Sequence, residues 1–470
     1  MRRPRARLLA AAVLAVVGLL GPVSPAVAGP PTGVAGSTSG GDPYFPAAGN
    51  GGYQVRHYDL DLRYDPETKS LRAQALISAT TRQKNLRSFS LDLRDLTVSS
   101  VRVNGQPARY AKTDTELVVT PRRVLKAGHR FTVDVRYGGT TTQPTDNTGA
   151  LYGWVSFPDG AFVANEPEGA STWYPVNDVP YDKATYDFEI TVPRGTVAVA
   201  NGDLLSRRTR NGWTTFRWSA DEPMASYLSM AASGNYELTR TRTAGGLPII
   251  DAIDKDLTPE QQRATRATLA RQPQMVAYFS RLFGPYPFSS FGAVVDDDEA
   301  AGYALENQTR PIYSGPPSES TVAHELAHQW YGDSVTPKRW RDIWLNEGFA
   351  TYSELLWTAH RGGDSVQEQF DAAYGRPATS DFWAVEVGDP GASGLFESAV
   401  YDRGAMTLHA LRLEIGDEDF FRVLRAWAQS NRYGVVSTAD LVRLSERISG
   451  EQLDDLFTTW LYTPGKPARP

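Results

Sequence analysis

The pattern of apolar and polar positions changes character at about residue 245. Before it, short runs at 57–64, 70–82, 88–93, 117–120 and 131–137 are bounded by Gly, Pro, Asn and Asp, and several alternate in polarity. Period-two segments of this kind read as strands with one face buried. Asn104-Gly105 and Asn211-Gly212 are turn signals. Strand texture continues at 186–192, 197–200, 214–218 and 227–232. Residues 53–245 are therefore expected to form a mostly antiparallel β domain. Residues 246–470 carry helical periodicity instead. Thr258-Pro259-Glu260 predicts a capped helix start that runs to about Phe283, where Gly284-Pro285 ends it. A strand is expected at 291–295, and helices at 318–330, 345–360, 398–415, 418–430, 438–449 and 453–461.

The start of the chain changes the expected location. Arg2, Arg3, Arg5 and Arg7 precede an uncharged apolar run from residue 8 to 20, and Ala26-Val27-Ala28 supplies a small-residue cleavage pattern. Residues 1–28 thus read as a signal peptide, too short in its apolar part to span a bilayer comfortably. Export and an extracellular location follow as expectations. Residues 29–52, rich in Gly, Pro, Ser and Ala, are expected to be a flexible N-terminus.

Composition excludes several classes. Hydrophobic residues make up 41% and charged residues 22%, the balance of a globular protein. Without residues 1–28 the chain holds 44 basic and 54 acidic residues, a formal charge of −10. That balance argues against binding nucleic acid or anionic membrane surfaces. No stable membrane insertion and a monomer are also expected. Cysteine is absent, which removes thiolate metal sites, cysteine nucleophiles and redox chemistry.

His324-Glu325-Leu326-Ala327-His328 falls in one of the expected helices. Residues four apart share a helix face, so both imidazoles can reach one ion, with Glu325 placed to take a proton from its water. Two histidines on a helix also occur as packing residues. Glu347, eighteen residues past His328 in Trp344-Leu345-Asn346-Glu347-Gly348, weighs against that bland reading. Two His and one carboxylate leave a fourth position for water, the composition of a catalytic Zn²⁺ site. Glu354 follows Glu347 by seven residues, about two helical turns, and is a candidate to orient a ligand histidine. A surface ion pair is the alternative for Glu354. His57, His129, His360 and His409 lie in no motif and are expected to be structural or exposed.

The run VAHELAHQWYGDSVTPKRWRDIWLNEGFATY from Val322 to Tyr352 closely resembles peptidase family M1, the aminopeptidase N-like gluzincins, which include leukotriene hydrolase. The resemblance covers nearly the whole chain after residue 52. It implies one zinc ion per chain on His324, His328 and Glu347, with Glu325 as the general base. Tyr303-Ala304-Leu305-Glu306-Asn307 resembles the family's Gly-x-Met-Glu-Asn signature, with Tyr for Gly and Leu for Met. By that match Glu306 holds the substrate's amine. The segment from Glu166 to Pro180 resembles the family stretch ending Phe-Pro-Cys-x-Asp-x-Pro. It implies a second amine anchor at Glu166, or at Glu168 in the other register. Tyr401, in Val400-Tyr401-Asp402-Arg403-Gly404, matches the tyrosine that donates to the oxyanion.

The resulting expectation is an α+β multidomain protein: an antiparallel β saddle or sandwich, then a mainly helical thermolysin-like catalytic domain. Its substrates would be peptides with a free N-terminus. Larger family members carry a helical C-terminal domain, so a more open cleft is expected here. A secreted endopeptidase and a catalytically idle binding module remain as alternatives.

Overall fold

Alternate side chains of the strand Tyr53–Asp65 point into the core, with one register shift between Val55 and His57. The same alternation along Ala184–Pro193 lets the two strands pair in parallel. They lie at the centre of an eight-stranded sheet whose order is Asp203–Arg210, Trp213–Met224, Ala184–Pro193, Tyr53–Asp65, Ser70–Thr81, Arg130–Thr140, Thr97–Val103 and Gln106–Pro107. Two four-stranded sheets accompany it. One of them, Gly153–Ser156, Ala161–Ala164, Ala231–Gly234 and Val197–Ala200, is buried throughout. The computed structural model describes residues 33–142, 144–145, 150–298 and 301–470. The expected signal peptide lies outside them.

A five-stranded mixed sheet begins the second half, in the order Tyr236–Arg242, Pro248–Asp254, Phe291–Asp296, Ile312–Ser314 and Ala304–Leu305. Helices α1 (Pro259–Leu269), α2 (Gln272–Phe283), α3 (Glu319–His328), α4 (Trp344–His360), α5 (Val366–Tyr374), α6 (Ser398–Ser430), α7 (Thr438–Ser449) and α8 (Asp454–Phe457) complete it. One hydrophobic core runs through both halves. Among the described residues no helix is long and apolar enough to cross a membrane.

Four expectations are corrected. Position 245 falls in the turn of a hairpin, because Tyr236–Arg242 pairs with Pro248–Asp254. The sheet of the second half thus starts at Tyr236. The helix expected over 258–283 is two helices. A capping box of Thr258 and Gln261 starts α1, and α2 restarts with Pro273 in its first turn, where the missing N–H is tolerated. Tyr227 and Leu228 lie in a 3-10 turn, closed by Ser229 Oγ donating to Ser226 O, before the strand Ala231–Gly234. Residues 33–52 are not a loose tail: Asp42, Ala48 and Asn50 are buried. Most of their glycines serve close approach. A Cβ on Gly49 (φ +72°) would sit 2.1 Å from Val179.

Candidate active site

Ser318 caps α3 by accepting from the Thr321 N–H at 3.0 Å. Six and ten residues on, His324 and His328 face the same side, ring centroids 4.7 Å apart. Helix α4 brings Glu347 to them. Its Oε2 is 3.2 Å from His324 Nε2 and 3.6 Å from His328 Nε2. Tetrahedral ligands about 2.1 Å from a shared ion stand about 3.4 Å apart, so this spacing fits zinc. The other ring nitrogens are committed. His324 Nδ1 donates to Glu354 Oε1 at 2.6 Å, and His328 Nδ1 donates to the Tyr331 carbonyl at 3.1 Å. Both contacts leave Nε2 as the free lone pair. Ser320 Oγ in turn donates to Glu354.

Glu325 is buried beside the two histidines, and burial pushes its carboxyl up to about 8. Glu306 follows the edge strand Ala304–Leu305 and is 2% exposed. Glu166 reaches in from the β half. Glu166, Glu306 and Glu347 each offer an oxygen within 4.8 Å of the others. Oε1 of Glu166 and Oε1 of Glu306 are buried without a hydrogen-bond partner. Glu168, the alternative anchor, is instead paired with Arg94 at 2.8 Å. Tyr401 lies in the first turn of α6, its ring 6.0 Å from that of His324. Burial, and then the carboxylates around it, hold its phenol well above the usual range, so it stays a donor.

The structure therefore gathers His324, His328, Glu347, Glu325, Glu306, Glu166, Tyr401 and Glu354 in one place. His409 packs in the core with its Nε2 against Gln367, and Trp154, Trp173 and Tyr174 are β-half core. Tyr303, in the family's glycine position, donates to the Leu151 carbonyl.

Sequence reasoning missed four buried neighbours. Gln329 Nε2 donates to Glu306 O at 3.1 Å, and its Oε1 accepts from Thr309 N–H at 2.7 Å. It ties the end of α3 to the loop that carries Glu306. Asn346 donates to Tyr227, whose phenol donates to Gly332 O. Lys183 and Asp333 are also buried here. A lone Gln, Asn, Lys or Asp carries no periodic signal that distinguishes such a place from the surface. The site concentrates five carboxyls, those of buried Glu306, Glu325, Glu347 and Asp333 and of half-buried Glu166, each acting on others in the group. Buried carboxylates require cations, and a divalent metal plus a substrate ammonium would supply them.

Known proteins share these features. Residues 54–228 match the Peptidase M1 N-terminal domain and residues 304–460 the Peptidase family M1 domain. The chain is 23% identical over 440 residues to a leucyl aminopeptidase of Saccharolobus solfataricus, covering 88% of this chain and 54% of that one. It thus spans about half the length of that relative. Leukotriene A-4 hydrolase of Xenopus laevis is 24% identical, covering 88% of this chain and 72% of the hydrolase. An M1 zinc metallopeptidase from Deinococcus radiodurans, solved as a Glu-to-Ala mutant bound to a Tyr-Ser-Ala substrate, superposes with a TM-score of 0.82. It is 30% identical, with 92% of this chain and 99% of that one aligned. A two-domain M1 zinc metallopeptidase bound to L-arginine gives 0.84 at 29% identity, with 92% and 99% covered. By motif, by fold and by these matches over both halves, the chain belongs to peptidase family M1.

Proposed function

We propose that the protein is an exported, monomeric zinc aminopeptidase that removes the first residue of peptides. The observation that carries this reading is the pair of buried, unpartnered carboxyl oxygens on Glu166 and Glu306 beside Glu347. Acceptors in such a place suit an ammonium group, which offers three charge-assisted donors. The Tyr-Ser-Ala and L-arginine bound by the related structures both carry a free amine, in keeping with that choice.

His324, His328 and Glu347 would hold one zinc ion per chain, which when bound lowers the pKa of a water and polarises the scissile carbonyl. Glu325 takes the proton from that water and later gives it to the leaving amine. Tyr401 donates to the oxyanion as negative charge develops there. Glu166 and Glu306 fix the distance between the ammonium and the first peptide bond, which restricts cleavage to the terminal residue.

The test compares matched aminoacyl and N-acetyl-aminoacyl amides, with and without chelator, on wild type and Glu325→Gln. Free-amine substrate alone should be cut, chelator should stop it, and the substitution should lower kcat by about 10²–10⁴-fold. Equal cutting of blocked substrate would establish the endopeptidase instead.

A further inference from the structure

A lysine from the β half is locked into the loop that follows the catalytic helix. Lys183 immediately precedes the strand Ala184–Pro193, a central strand of the eight-stranded sheet. Its Nζ donates to Asp333 O at 2.6 Å, to Ser334 O at 3.0 Å and to Thr336 Oγ1 at 2.9 Å. An ammonium has three N–H donors, so all are engaged. Thr336 Oγ1 passes the contact on by donating to Gly332 O at 2.7 Å. Burial costs this side chain heavily and pushes its pKa down to about 7, against the opposing pull of Asp333. A residue that only filled space would not make three such hydrogen bonds.

The loop has one contact that matters to the metal site. His328 Nδ1 donates to the carbonyl of Tyr331, which selects the tautomer that presents Nε2. Neighbouring groups set where that carbonyl lies. Asp333 N–H donates to His328 O at 3.0 Å, and the carbonyls of Gly332, Asp333 and Ser334 are taken by Tyr227, Thr336 and Lys183. Lys183 is therefore the hydrogen-bonded link between the eight-stranded sheet and the loop that orients His328.

We propose that Lys183 is a positioning residue for His328, fixing the residue 331–336 loop so that its Tyr331 carbonyl holds the imidazole for zinc. The inference rests on the zinc-site reading above.

The experiment measures zinc affinity by chelator competition on the full chain, with wild type, Lys183→Met, Lys183→Arg and Thr336→Val. Ile190→Ala, a buried core change in the adjoining strand, serves as a control for lost stability. Lys183→Met should weaken zinc binding about 10–100-fold and lower kcat with little change in KM. Lys183→Arg should recover part of the loss. Ile190→Ala should melt earlier yet hold zinc as tightly as wild type. If Lys183→Met does not fold, Thr336→Val decides, with a smaller loss in the same direction. Wild-type zinc affinity in Lys183→Met, or in Thr336→Val where that variant decides, would overturn the proposal. So would an equal loss in Ile190→Ala. Failure of wild type to bind zinc would defeat the zinc-site reading itself, a separately visible result.

Discussion

Tyr401 lies nearly parallel to the His324 ring, at an interplanar angle of 22°, and burial, then the carboxylates around it, keep its phenol protonated. A hydroxyl held this way contributes most when an oxyanion forms, and little to binding the ground state. Tyr401→Phe should therefore lower kcat by about 10²–10³-fold and leave KM nearly unchanged, as read by steady-state kinetics on an aminoacyl amide. A fall in kcat/KM carried wholly by KM would assign the phenol to substrate binding. At this scale the sequence was informative where spacing has a geometric meaning. Seven residues along a helix brought Glu354 to the face of Glu347, where it meets His324 Nδ1. It was silent where a role depends on burial alone. Lys183 reads as one more surface lysine until the fold closes over it.

Among the elements, the contact between α4 and α6 sets the relative positions of Glu347 and Tyr401. Gly348 and Gly404 meet backbone to backbone: a Cβ on Gly348 would stand 2.9 Å from the Gly404 carbonyl carbon and 3.0 Å from its Cα. Backbone cannot move aside as a side-chain tip does. Gly348→Ala should cost about 1–3 kcal/mol, seen as a lower urea midpoint at unchanged slope. Because Glu347 is adjacent and Tyr401 lies about one turn before Gly404, kcat should fall as well. A stable, fully active variant would show that the helices do not need this approach. Element boundaries were legible where a breaker residue stood. Gly416, with φ +78° inside α6, interrupts the helix between the two segments expected at 398–415 and 418–430. Pro273 marks the division between α1 and α2 that period alone had bridged. Helix α5 had its own signal, a capping box of Ser365 and Glu368, which apolar periodicity overlooked.

At the scale of the molecule, residues 33–52 cross from one half to the other. On the β side, Gly49 N–H donates to Asp92 Oδ1 at 3.0 Å and Asn50 N–H donates to Asn177 Oδ1 at 2.6 Å. On the helical side, Asp42 Oδ2 accepts from Trp340 N–H at 2.9 Å, Tyr44 donates to Asp389, and Gly391 N–H donates to Tyr44 at 2.9 Å. Composition could not reveal this, since a Gly- and Ser-rich segment suits a free tail and a tightly laid strap equally well. The two differ in whether backbone donors find fixed partners, and fold geometry decides that. The proposed amine anchors come from both halves, Glu166 from one and Glu306 from the other, so on that proposal the strap bears on substrate binding as well as on stability. Asp42→Ala with Tyr44→Phe removes the helical-side bonds and leaves the β-side bonds in place. Trp340 N–H, buried and without its acceptor, should cost about 1–3 kcal/mol, and the lost phenol about 1 kcal/mol more. The urea midpoint should fall accordingly, and KM for a free-amine peptide should rise as Glu166 and Glu306 lose registry. Protease should cut the double variant between residues 33 and 52 before wild type is cut there. An unchanged midpoint together with unchanged KM would mean that the strap rests on the surface without holding the halves.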